Sequence, residues 1–453
     1  MTKLPAEPKP VPIRRYRYSK LRWRVMVHVL DAFGSMGMWL WRRFREAPRP
    51  GTPRRILVVQ LDHLGDAVLT SPMLARLRDA YPEATIDVLA SPSNLEVFEA
   101  DPNVDHVRLA ARNWFERQSG RWALGSAVWE LGRRLRGTAY DLGIDVRGDI
   151  LTVLVLTLAG IPRRVGWTMG GGGFLLTEAA EWIPGRHEVE SRLALLDRLG
   201  VPAEGPPRVV VHATDRDRIE VGQWLREAWP LREARVATQS VKARRESGSA
   251  RRAKSLVAPV ATSTRLEGDE ADWLHAGRFG SEAPLLAVHP GAGTSAKRWP
   301  AQYWQALIGR FLQDGWRVIV VGGQVDVAVA DSLARHPNLR NWTGRMTVRQ
   351  TTAFLERADL FIGADSGPAH LAASAGIASV VLFSGTNRSA QWRPWSRRSL
   401  VLRKEVPCRP CHHKTCPLAD HPCMTGLKPE RVYKASKRWW ARLHREESPH
   451  API

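Results

Sequence analysis

Short apolar runs alternate with amphipathic stretches along most of the chain, and the first such series begins after Pro53. Five runs predict strands, at Arg55–Gln60, Ile86–Ala90, His106–Leu109, Tyr140–Val146 and Val165–Trp167. Helices are expected between them, at Ala67–Ala80, Leu95–Ala100 and Ile150–Ala159. Strands and helices that alternate at this spacing predict a parallel sheet with crossover helices. We therefore expect a Rossmann-like domain over residues 51–231.

A second series of the same kind begins at Leu285. Its predicted strands are Leu285–His289, Arg317–Val321, Leu360–Gly363 and Ser379–Phe383. Its predicted helices are Pro300–Asp314, Val325–Arg335, Thr347–Ala358 and Ala369–Ala375. These elements predict a second Rossmann-like domain over residues 284–435, followed by a basic tail at 436–453. The fold class is therefore α/β, with two domains that face each other across a cleft. Small polar ligands bind at the carboxyl ends of strands in such folds.

Two segments interrupt this alternation. Residues 232–283 mix Ser, Ala, Arg and Lys in irregular order, which predicts a flexible basic insertion or linker between the domains. Gly170–Gly173 is a run of four glycines and therefore predicts a loop, because glycine destabilises the interior of a helix or strand. This loop would either close over an acceptor or form a plain surface connection.

Residues 1–50 form a basic arm that contains an amphipathic pattern. Apolar residues recur at three-to-four spacing from Leu21 to Leu40, with tryptophans and a basic cluster around them, and this predicts a helix over Leu21–Arg45. Such a helix suits the headgroup region of a membrane, although it would also suit packing on the protein's own surface. No run of 18 apolar residues predicts an ordinary membrane span.

The net charge of +22 is concentrated in three stretches. Residues 1–50, 216–265 and 397–445 carry net charges of +9, +7 and +10, so the rest of the chain is slightly acidic. Patchy basicity indicates a polyanionic surface as partner. The stretches contain no DNA- or RNA-reading motif, so we expect an anionic membrane surface and no nucleic acid. The expected location is cytoplasmic, at the inner membrane.

The turn after the first strand contains Gly65 and Asp66. Gly65 permits close approach of the backbone to a ligand, and Asp66 begins a helix that faces the cleft. A carboxylate there can accept a proton from an attacking hydroxyl. An aspartate at a helix start is also a common N-cap, which is the structural alternative.

Two turns in the second half predict an anion site. The first contains Gly291 and Gly293 and is followed by Lys297, which adds a positive charge to a glycine-rich turn. The second consists of Asp365, Ser366 and Gly367, followed by His370. It can offer backbone N–H groups to a pyrophosphate, or act simply as a helix cap. The first turn lacks the Gly-Lys-Ser/Thr sequence of a P-loop, so ATP hydrolysis is not indicated.

Three motifs together resemble glycosyltransferase family 9, the bacterial ADP-heptose:lipopolysaccharide heptosyltransferases. They are the run Ile56–Leu74, the run His289–Pro300 and the run Gly363–His370, and the resemblance covers about residues 54–210 and 284–435. It implies the GT-B fold, an inverting and metal-independent transfer with no required cofactor, an ADP-sugar donor and a lipid-linked saccharide acceptor.

The resemblance also implies roles for individual residues. Asp66 would be the base, and Lys297 would meet the donor phosphates and the charge of the leaving group. Asp365 would hold the heptose, while the Ser366 and Gly367 backbones would hold the phosphates, with His370 nearby. Asp326 is the nearest candidate for the acidic residue that holds the ribose.

Four cysteines form a compact group near the end of the second half, Cys408, Cys411, Cys416 and Cys423. Four thiolates at short spacing can bind structural zinc, but this spacing matches no common zinc ribbon. Reduced or disulfide-prone thiols are the alternative.

Two other functions remain to be distinguished from glycosyl transfer. A GT-B sugar-nucleotide epimerase would share the cleft and would convert its donor without an acceptor. A noncatalytic membrane- or nucleic-acid-binding protein would share the basicity but would leave the Gly65–Asp66 and Asp365–Gly367 turns unexplained.

Overall fold

The computed structural model describes residues 21–42, 51–110, 121–202, 205–230, 283–333 and 335–447. The first sheet has strand order β3-β2-β1-β4-β5-β6. Its strands are β1 (Arg55–Gln60), β2 (Thr85–Ala90), β3 (His106–Leu109), β4 (Leu142–Asp145), β5 (Arg163–Trp167) and β6 (Glu178–Ala180). All pairings are parallel, with Val58 opposite Val88 on one side and Ile144 on the other.

The second sheet repeats this topology in the order β12-β11-β10-β7-β8-β9. Its strands are β7 (Leu285–His289), β8 (Arg317–Val320), β9 (Leu339–Asn341), β10 (Leu360–Ala364), β11 (Ala378–Phe383) and β12 (Ser399–Arg403). In each sheet the chain changes direction beside its first strand, between β1 and β4 and between β7 and β10. The two Rossmann-like sheets predicted from the sequence are confirmed, and ligands bind at such switch points.

The helices lie between the strands and at both ends of the described chain. Those of the first half are α1 (Leu21–Arg42), α2 (Leu64–Val68), α3 (Ser71–Ala80), α4 (Arg121–Arg136), α5 (Ile150–Leu158), α6 (Glu188–Leu196) and α7 (Asp215–Ala228). Those of the second half are α8 (Ala301–Gln313), α9 (Val327–Asp331), α10 (Val348–Leu355), α11 (Gly367–Ser374), α12 (Ser389–Trp392), α13 (Pro422–Thr425) and α14 (Pro429–Glu447).

Three predicted helices are wrong in detail. The helix expected over Val325–Arg335 is a 3₁₀ turn, Gln324–Asp326, followed by the short helix α9, Val327–Asp331. The helix expected over Ala67–Ala80 is divided into α2 and α3, with Pro72 in the first turn of α3, where its missing N–H is no disadvantage. The helix expected over Leu95–Ala100 is only a 3₁₀ turn, Leu95–Val97. Helices α4, α6, α7 and α14 were not predicted.

The positions of two helices do not follow the domain limits that were predicted from the sequence. Helix α7 lies within the residues predicted to form the first domain, but it packs on α10 of the second half. Its Trp224 lies edge-on to Trp342 of the second half, with the ring centroids 6.0 Å apart. Helix α14 runs across residue 435, where a tail was expected to begin, because its aromatic face packs on the domain. Trp440 lies 5.0 Å from Trp316, between ring centroids. The linker predicted at 232–283 falls outside the described residues except for residue 283.

The predicted N-terminal helix is present as α1, which packs against the 3₁₀ turn Gly173–Leu175 of the first half. Its continuation from residue 43 to Arg45 lies outside the described residues. No helix among the residues described has the length and apolar character needed to cross a membrane.

Candidate active site

Asp66 lies in α2, directly beyond the carboxyl end of β1. The N-cap of this helix is His63, so Asp66 stands inside the first turn, and its carboxylate is bound by another residue. Arg192 Nη2, from α6, donates to Asp66 Oδ1 at 3.1 Å. The structural alternative, an aspartate that serves as N-cap, therefore does not describe Asp66.

Arg192 is buried and is itself held by several groups. Its Nη1 lies 2.7 Å from Glu188 Oε2, and its Nε donates to Thr70 Oγ1 at 3.0 Å. Gln60 Nε2 donates to the same hydroxyl at 2.8 Å. The Glu188 carboxylate, the Glu188 backbone carbonyl and the Thr70 hydroxyl thus hold the guanidinium in place, so that it is a rigid donor that orients the Asp66 carboxylate. The Asp66 side chain is 18% exposed and remains accessible from the cleft.

A cavity of about 150 Å³ opens above Asp66 between the two halves. Residues of both halves line it: Asp62, Asp66, Val146, Arg147, Met169, Trp182, Glu188, Arg192, Gln391 and Trp392. Arg147 forms an ion pair with Asp62. Gln391 Nε2, from the second half, donates to Glu188 Oε1 of the first half at 2.7 Å, so this hydrogen bond joins the two halves in the cavity lining. Most of the lining residues are charged or polar, with Trp182 and Trp392 as aromatic rings, so the cavity suits a polar ligand.

On the other side of the cleft Lys297 and Asp365 form an ion pair. Lys297 Nζ lies 2.7 Å from Asp365 Oδ2, and Asn387 Nδ2 donates to the same oxygen at 3.0 Å. Lys297 follows the glycine-rich turn after β7, and Asp365 follows β10. Both residues therefore lie at the switch point of the second sheet. The two side chains are mostly buried, so their charges are weakly screened by solvent.

His370 lies in α11, the helix that follows Asp365, and its ring meets Gly65 of α2. Its imidazole in α11 is buried, and it is within electrostatic range of Asp66, Asp365, Lys297 and Arg192. Burial, which outweighs the two carboxylates, lowers the pKa of His370 to about 4. The ring is therefore uncharged at neutral pH. Its Nδ1 is buried without a hydrogen-bond partner among the described residues.

Glycines allow α2 and α11 to approach each other here. A side chain at Gly65 would place its Cβ 2.9 Å from His370 Cδ2, and one at Gly367 would place it 2.7 Å from Leu64 Cδ2. The group that fills the space above Gly65 is thus the His370 ring of the opposite half. These reciprocal contacts bring the two predicted halves of the site together.

A second network supports the turns around the donor side. Ser366 Oγ lies 3.0 Å from His289 Nδ1, and His289 Nε2 lies 3.2 Å from Asp326 Oδ2. Asp326 also accepts the Gly323 N–H at 3.0 Å. Burial acts to raise the Asp326 pKa, but the hydrogen bond and charge of His289 and the Gly323 N–H outweigh it and hold the pKa below its usual value. His289 thereby joins the turns that follow β7, β8 and β10.

The predicted glycines of the first donor turn have different surroundings. A Cβ at Gly291 would lie 1.9 Å from Asp326 Oδ1, so only glycine fits, whereas a Cβ at Gly293 would meet no atom within 4 Å. Ser366 is the N-cap of α11, but its hydroxyl donates to Ala364 O or contacts His289 rather than capping the helix. The backbone at this helix start remains the predicted phosphate-binding element.

The four cysteines lie close to the donor side and are all free thiols. Cys423 is buried, and burial raises the pKa of its thiol, as do the other three cysteines nearby. Their loop supports the site, because the Cys411 N–H donates to Gly385 O and the Ala296 N–H donates to Lys414 O. Within the described parts of the chain, the group of metal-ligating atoms that all lie within 4.8 Å of one another is instead Asp62, His63 and Asp66.

Reasoning from the sequence identified Asp66, Lys297 and Asp365 but missed their partners Arg192 and Asn387. Helix α6, which carries Arg192, has a readable start, because His187 and Glu190 form a capping box. No comparable local signal exists for Asn387, which lies in a turn between β11 and α12.

The paired Rossmann-like sheets, with an acid on one side of the cleft and a cation at the switch point on the other, define a GT-B protein that binds a small polar ligand. A family model for glycosyltransferase family 9 (heptosyltransferase) matches residues 128–421, which is more than half of the chain. The chain belongs to glycosyltransferase family 9.

Named relatives and solved structures agree with this membership. The chain is 35% identical over 170 residues to lipooligosaccharide heptosyltransferase 2 of Campylobacter jejuni, a match that covers 35% of this chain and spans about half, 52%, of that protein. It is 23% identical over 393 residues to lipopolysaccharide heptosyltransferase 2 of Escherichia coli K12, covering 83% of this chain and 96% of the relative.

The fold is similar to that of two solved structures. The glycosyltransferase family 9 protein of Veillonella parvula has a TM-score of 0.61 at 20% identity, with 86% of this chain and 97% of that chain covered. ADP-heptose lps heptosyltransferase II of E. coli has a TM-score of 0.61 at 19% identity, with 86% and 99% covered. The predicted GT-B fold is therefore confirmed.

Proposed function

We propose that this chain transfers a heptose from an ADP-heptose donor to a lipopolysaccharide core or a related lipid-linked acceptor, with inversion at the anomeric carbon. The observation that carries the proposal is the contact between the two halves of the site. The His370 ring meets Gly65, the residue before Asp66, and the helix of His370 begins two residues after Asp365, the partner of Lys297. A base and a cation on opposite sides of one cleft suit the attack of a hydroxyl on a sugar whose leaving group is a diphosphate.

In the proposed reaction the acceptor hydroxyl lies in the cavity above Asp66. Its oxygen forms a bond to the anomeric carbon of the donor while the bond from that carbon to the β-phosphate oxygen breaks. The proton of the hydroxyl passes to the Asp66 carboxylate, which Arg192 orients at 3.1 Å. ADP leaves with the bonding electron pair. Lys297 and the backbone N–H groups at Ser366 and Gly367 stabilise the negative charge on its phosphate.

The heptose is proposed to lie against Asp365, whose carboxylate can accept hydrogen bonds from sugar hydroxyls. Asp365 already accepts from Lys297 and Asn387, so the donor joins an existing set of polar contacts. A ribose contact for Asp326 stays a prediction from the resemblance. Its carboxylate is buried against His289, Gly323 and Gly291, so it also has a structural role in shaping the turns.

The test is incubation of the purified chain with labelled ADP-heptose, with and without a lipopolysaccharide core acceptor that lacks heptose. Label in the lipid fraction, dependent on acceptor and abolished in Asp66→Asn, supports the proposal. Conversion of the donor without acceptor would indicate an epimerase and would overturn it. ADP-, UDP- and GDP-sugars compared by thermal shift would test the nucleotide, because a ligand that binds the folded state raises the melting temperature.

We also propose that the protein works at the cytoplasmic face of the inner membrane, as a peripheral protein bound through α1. The support is the set of large apolar side chains that α1 exposes, together with the charge of +9 on residues 1–50. Structural zinc at the four cysteines also stays a prediction. Metal analysis of protein purified without chelator tests it, with Cys408→Ser and Cys423→Ser as the matched variants.

A further inference from the structure

Helix α1 is seated on the first half through one face. Val27 and Asp31 on this face are buried, although they lie near one end of the described chain. Asp31 Oδ1 accepts the N–H of Gly172 at 2.7 Å. A Cβ added to Gly34 would lie 2.4 Å from the ring of Phe174, so the helix backbone touches that ring. A buried carboxylate bound to a backbone N–H indicates a specific seat for α1.

The seat is the four-glycine loop at 170–173. Gly171 and Gly172 have φ values of +85° and +75°, which side chains rarely adopt. A Cβ at Gly171 would lie 2.5 Å from Val27 Cγ1, and one at Gly170 would lie 1.7 Å from Gly148 O. The loop is buried and therefore is not a plain surface connection, one of the two interpretations that the sequence allowed; closure over an acceptor stays a prediction. Its glycines let it pack between α1 and the end of β4.

The same loop continues into the wall of the cavity above Asp66. Met169, which immediately precedes Gly170, lines that cavity, and so does Arg147, which immediately precedes Gly148. The contact between Gly170 and Gly148 thus lies one residue away from two lining side chains. Movement of α1 relative to the loop would reach the cavity through these two neighbours.

The opposite face of α1 is exposed and apolar. At 100° per residue, the side chains that point away from Val27 and Asp31 are Val25, Val29, Phe33, Met36 and Leu40, and the other exposed apolar side chains lie on the flanks of this face. Its large side chains are between 41% and 68% exposed: Leu21, Val25, Met26, Val29, Leu30, Phe33, Met36, Trp39 and Leu40. A contiguous surface of this kind is unusual on a protein in water and marks a contact with a membrane or another protein.

The charges around this face favour a lipid surface as its occupant. Arg22, Arg24 and Arg42 belong to α1, and the sequence adds basic residues on both sides of it, at Arg14, Arg15, Arg17, Lys20, Arg43 and Arg45. An apolar helix face with basic flanks matches a bilayer of anionic lipids, which combines an acyl interior with negative headgroups. A second copy of the chain would bring an equal positive charge to the same place.

We propose that α1 both binds the membrane and positions the active site on it. Its outer face inserts into an anionic bilayer, and the Asp31–Gly172 contact fixes the position of the cavity above Asp66 relative to that bilayer. This inference rests on the proposed function and adds a requirement to it. Membrane binding alone is not sufficient for transfer to a membrane-embedded acceptor. The seat must also be intact, because it sets the position of the cavity.

The test uses the full chain and two groups of variants. Phe33→Asp and Val29→Asp change the outer face. Asp31→Ala and Gly171→Val change the seat, and Asp31→Asn is the conservative variant because its amide oxygen can still accept the Gly172 N–H. Ile219→Asp, at another exposed apolar residue, is the matched control. Each is assayed for sedimentation with phosphatidylglycerol-containing vesicles and for transfer to vesicle-embedded and to detergent-dispersed acceptor.

Outer-face variants should lose vesicle binding and transfer to embedded acceptor more than tenfold. Seat variants should bind vesicles within about threefold of wild type but lose transfer to embedded acceptor more than tenfold, and Asp31→Asn should recover most of it. All should retain transfer to dispersed acceptor, which also shows that they are folded. If the seat variants transfer to embedded acceptor at the wild-type rate, the proposed positioning role of the contact between α1 and the glycine loop is refuted.

Two further outcomes are distinct from these. A change of oligomeric state in Phe33→Asp, without a change in vesicle binding, would show that a second copy covers the face, and would overturn the lipid occupant. Failure of the wild-type chain to use dispersed acceptor would refute the proposed function itself. Vesicle sedimentation would still report on the outer face in that case.

Discussion

The buried imidazole of His370 makes the stability of the folded chain depend on pH in a defined direction. Its pKa is lowered to about 4, against an ordinary value near 6.5 in an unfolded chain. A group whose pKa is lowered by folding stabilises the folded state above its unfolded pKa, and this stability is lost as the pH falls. The window for His370 therefore runs from about pH 6.5 down to about pH 4.

The size of the effect follows from the two pKa values. Between pH 7.5 and pH 5 the uptake of a proton by the unfolded chain, but not by the folded one, costs the folded state about 2 kcal/mol. At pH 4 the cost rises to about 3 kcal/mol. His370→Gln removes this titration. We therefore expect the difference in stability between the variant and wild type to shift by about 2 kcal/mol in favour of the variant between these two pH values.

Urea unfolding followed by tryptophan fluorescence at pH 7.5 and pH 5 measures this shift. The carboxylates that titrate in the same range are present in both proteins, so their contributions cancel in the difference. His336→Gln, at an exposed histidine, is the control and should show no shift. Direct titration of the His370 ring by NMR should show no protonation above pH 5. A stability difference that stays constant between the two pH values would refute the assignment of a buried, uncharged His370.

Four other changes test the site and the arm. Asp66→Asn should lower the transfer rate by on the order of 10²–10⁴ while leaving donor affinity nearly unchanged, with Asp79→Asn as control; activity within tenfold of wild type would refute the role of base. Lys297→Ala should weaken both donor binding and turnover, measured by donor KM and kcat against Lys434→Ala, and unaltered values would make it a merely structural residue. Transfer should survive EDTA, and an obligatory requirement for magnesium would contradict the metal-independent mechanism. Deletion of residues 1–50 should move the protein from the membrane to the soluble fraction with donor binding intact. Sedimentation like that of the full chain would place the docking site in the basic stretch 397–445 instead.

The central strands could be read from the sequence almost to the residue. Strands β1 and β7 have the predicted limits, because each is a buried apolar run that ends at a glycine-containing turn. Edge strands β9 and β12 were not found, since they are short and only partly buried. Helix α14 was missed although Val432, Ser436 and Leu443 recur at helical spacing, because basic residues dominate its sequence. Its aromatic residues pack on Trp316 and Phe311.

Some residues of the candidate site could be predicted from the sequence and others could not. Asp66, Lys297 and Asp365 could be chosen because each follows a predicted strand at a position where ligands bind. Arg192 lies 126 residues from Asp66, and no local pattern connects them. The contact of His370 with Gly65 joins the two domains, so it depends on how they close, which strand and helix periodicity does not describe.

The excess positive charge of the chain does not lie in the cleft. Asp66 is paired with Arg192, Lys297 with Asp365, and Arg147 with Asp62, so each cation of the cleft has a carboxylate beside it. The net charge of +22 therefore does not arise from the site that would bind a diphosphate. It arises from the ends of the chain and from the segment between the domains. Arg409 belongs to the basic stretch 397–445 and donates to Asn387 O on the donor side, but basic residues spread over three stretches can also act together on an extended anionic surface, where each adds about 1 kcal/mol. We therefore expect the cleft and the basic arm of residues 1–50 to have separate partners, so that variants in one should leave the function of the other intact.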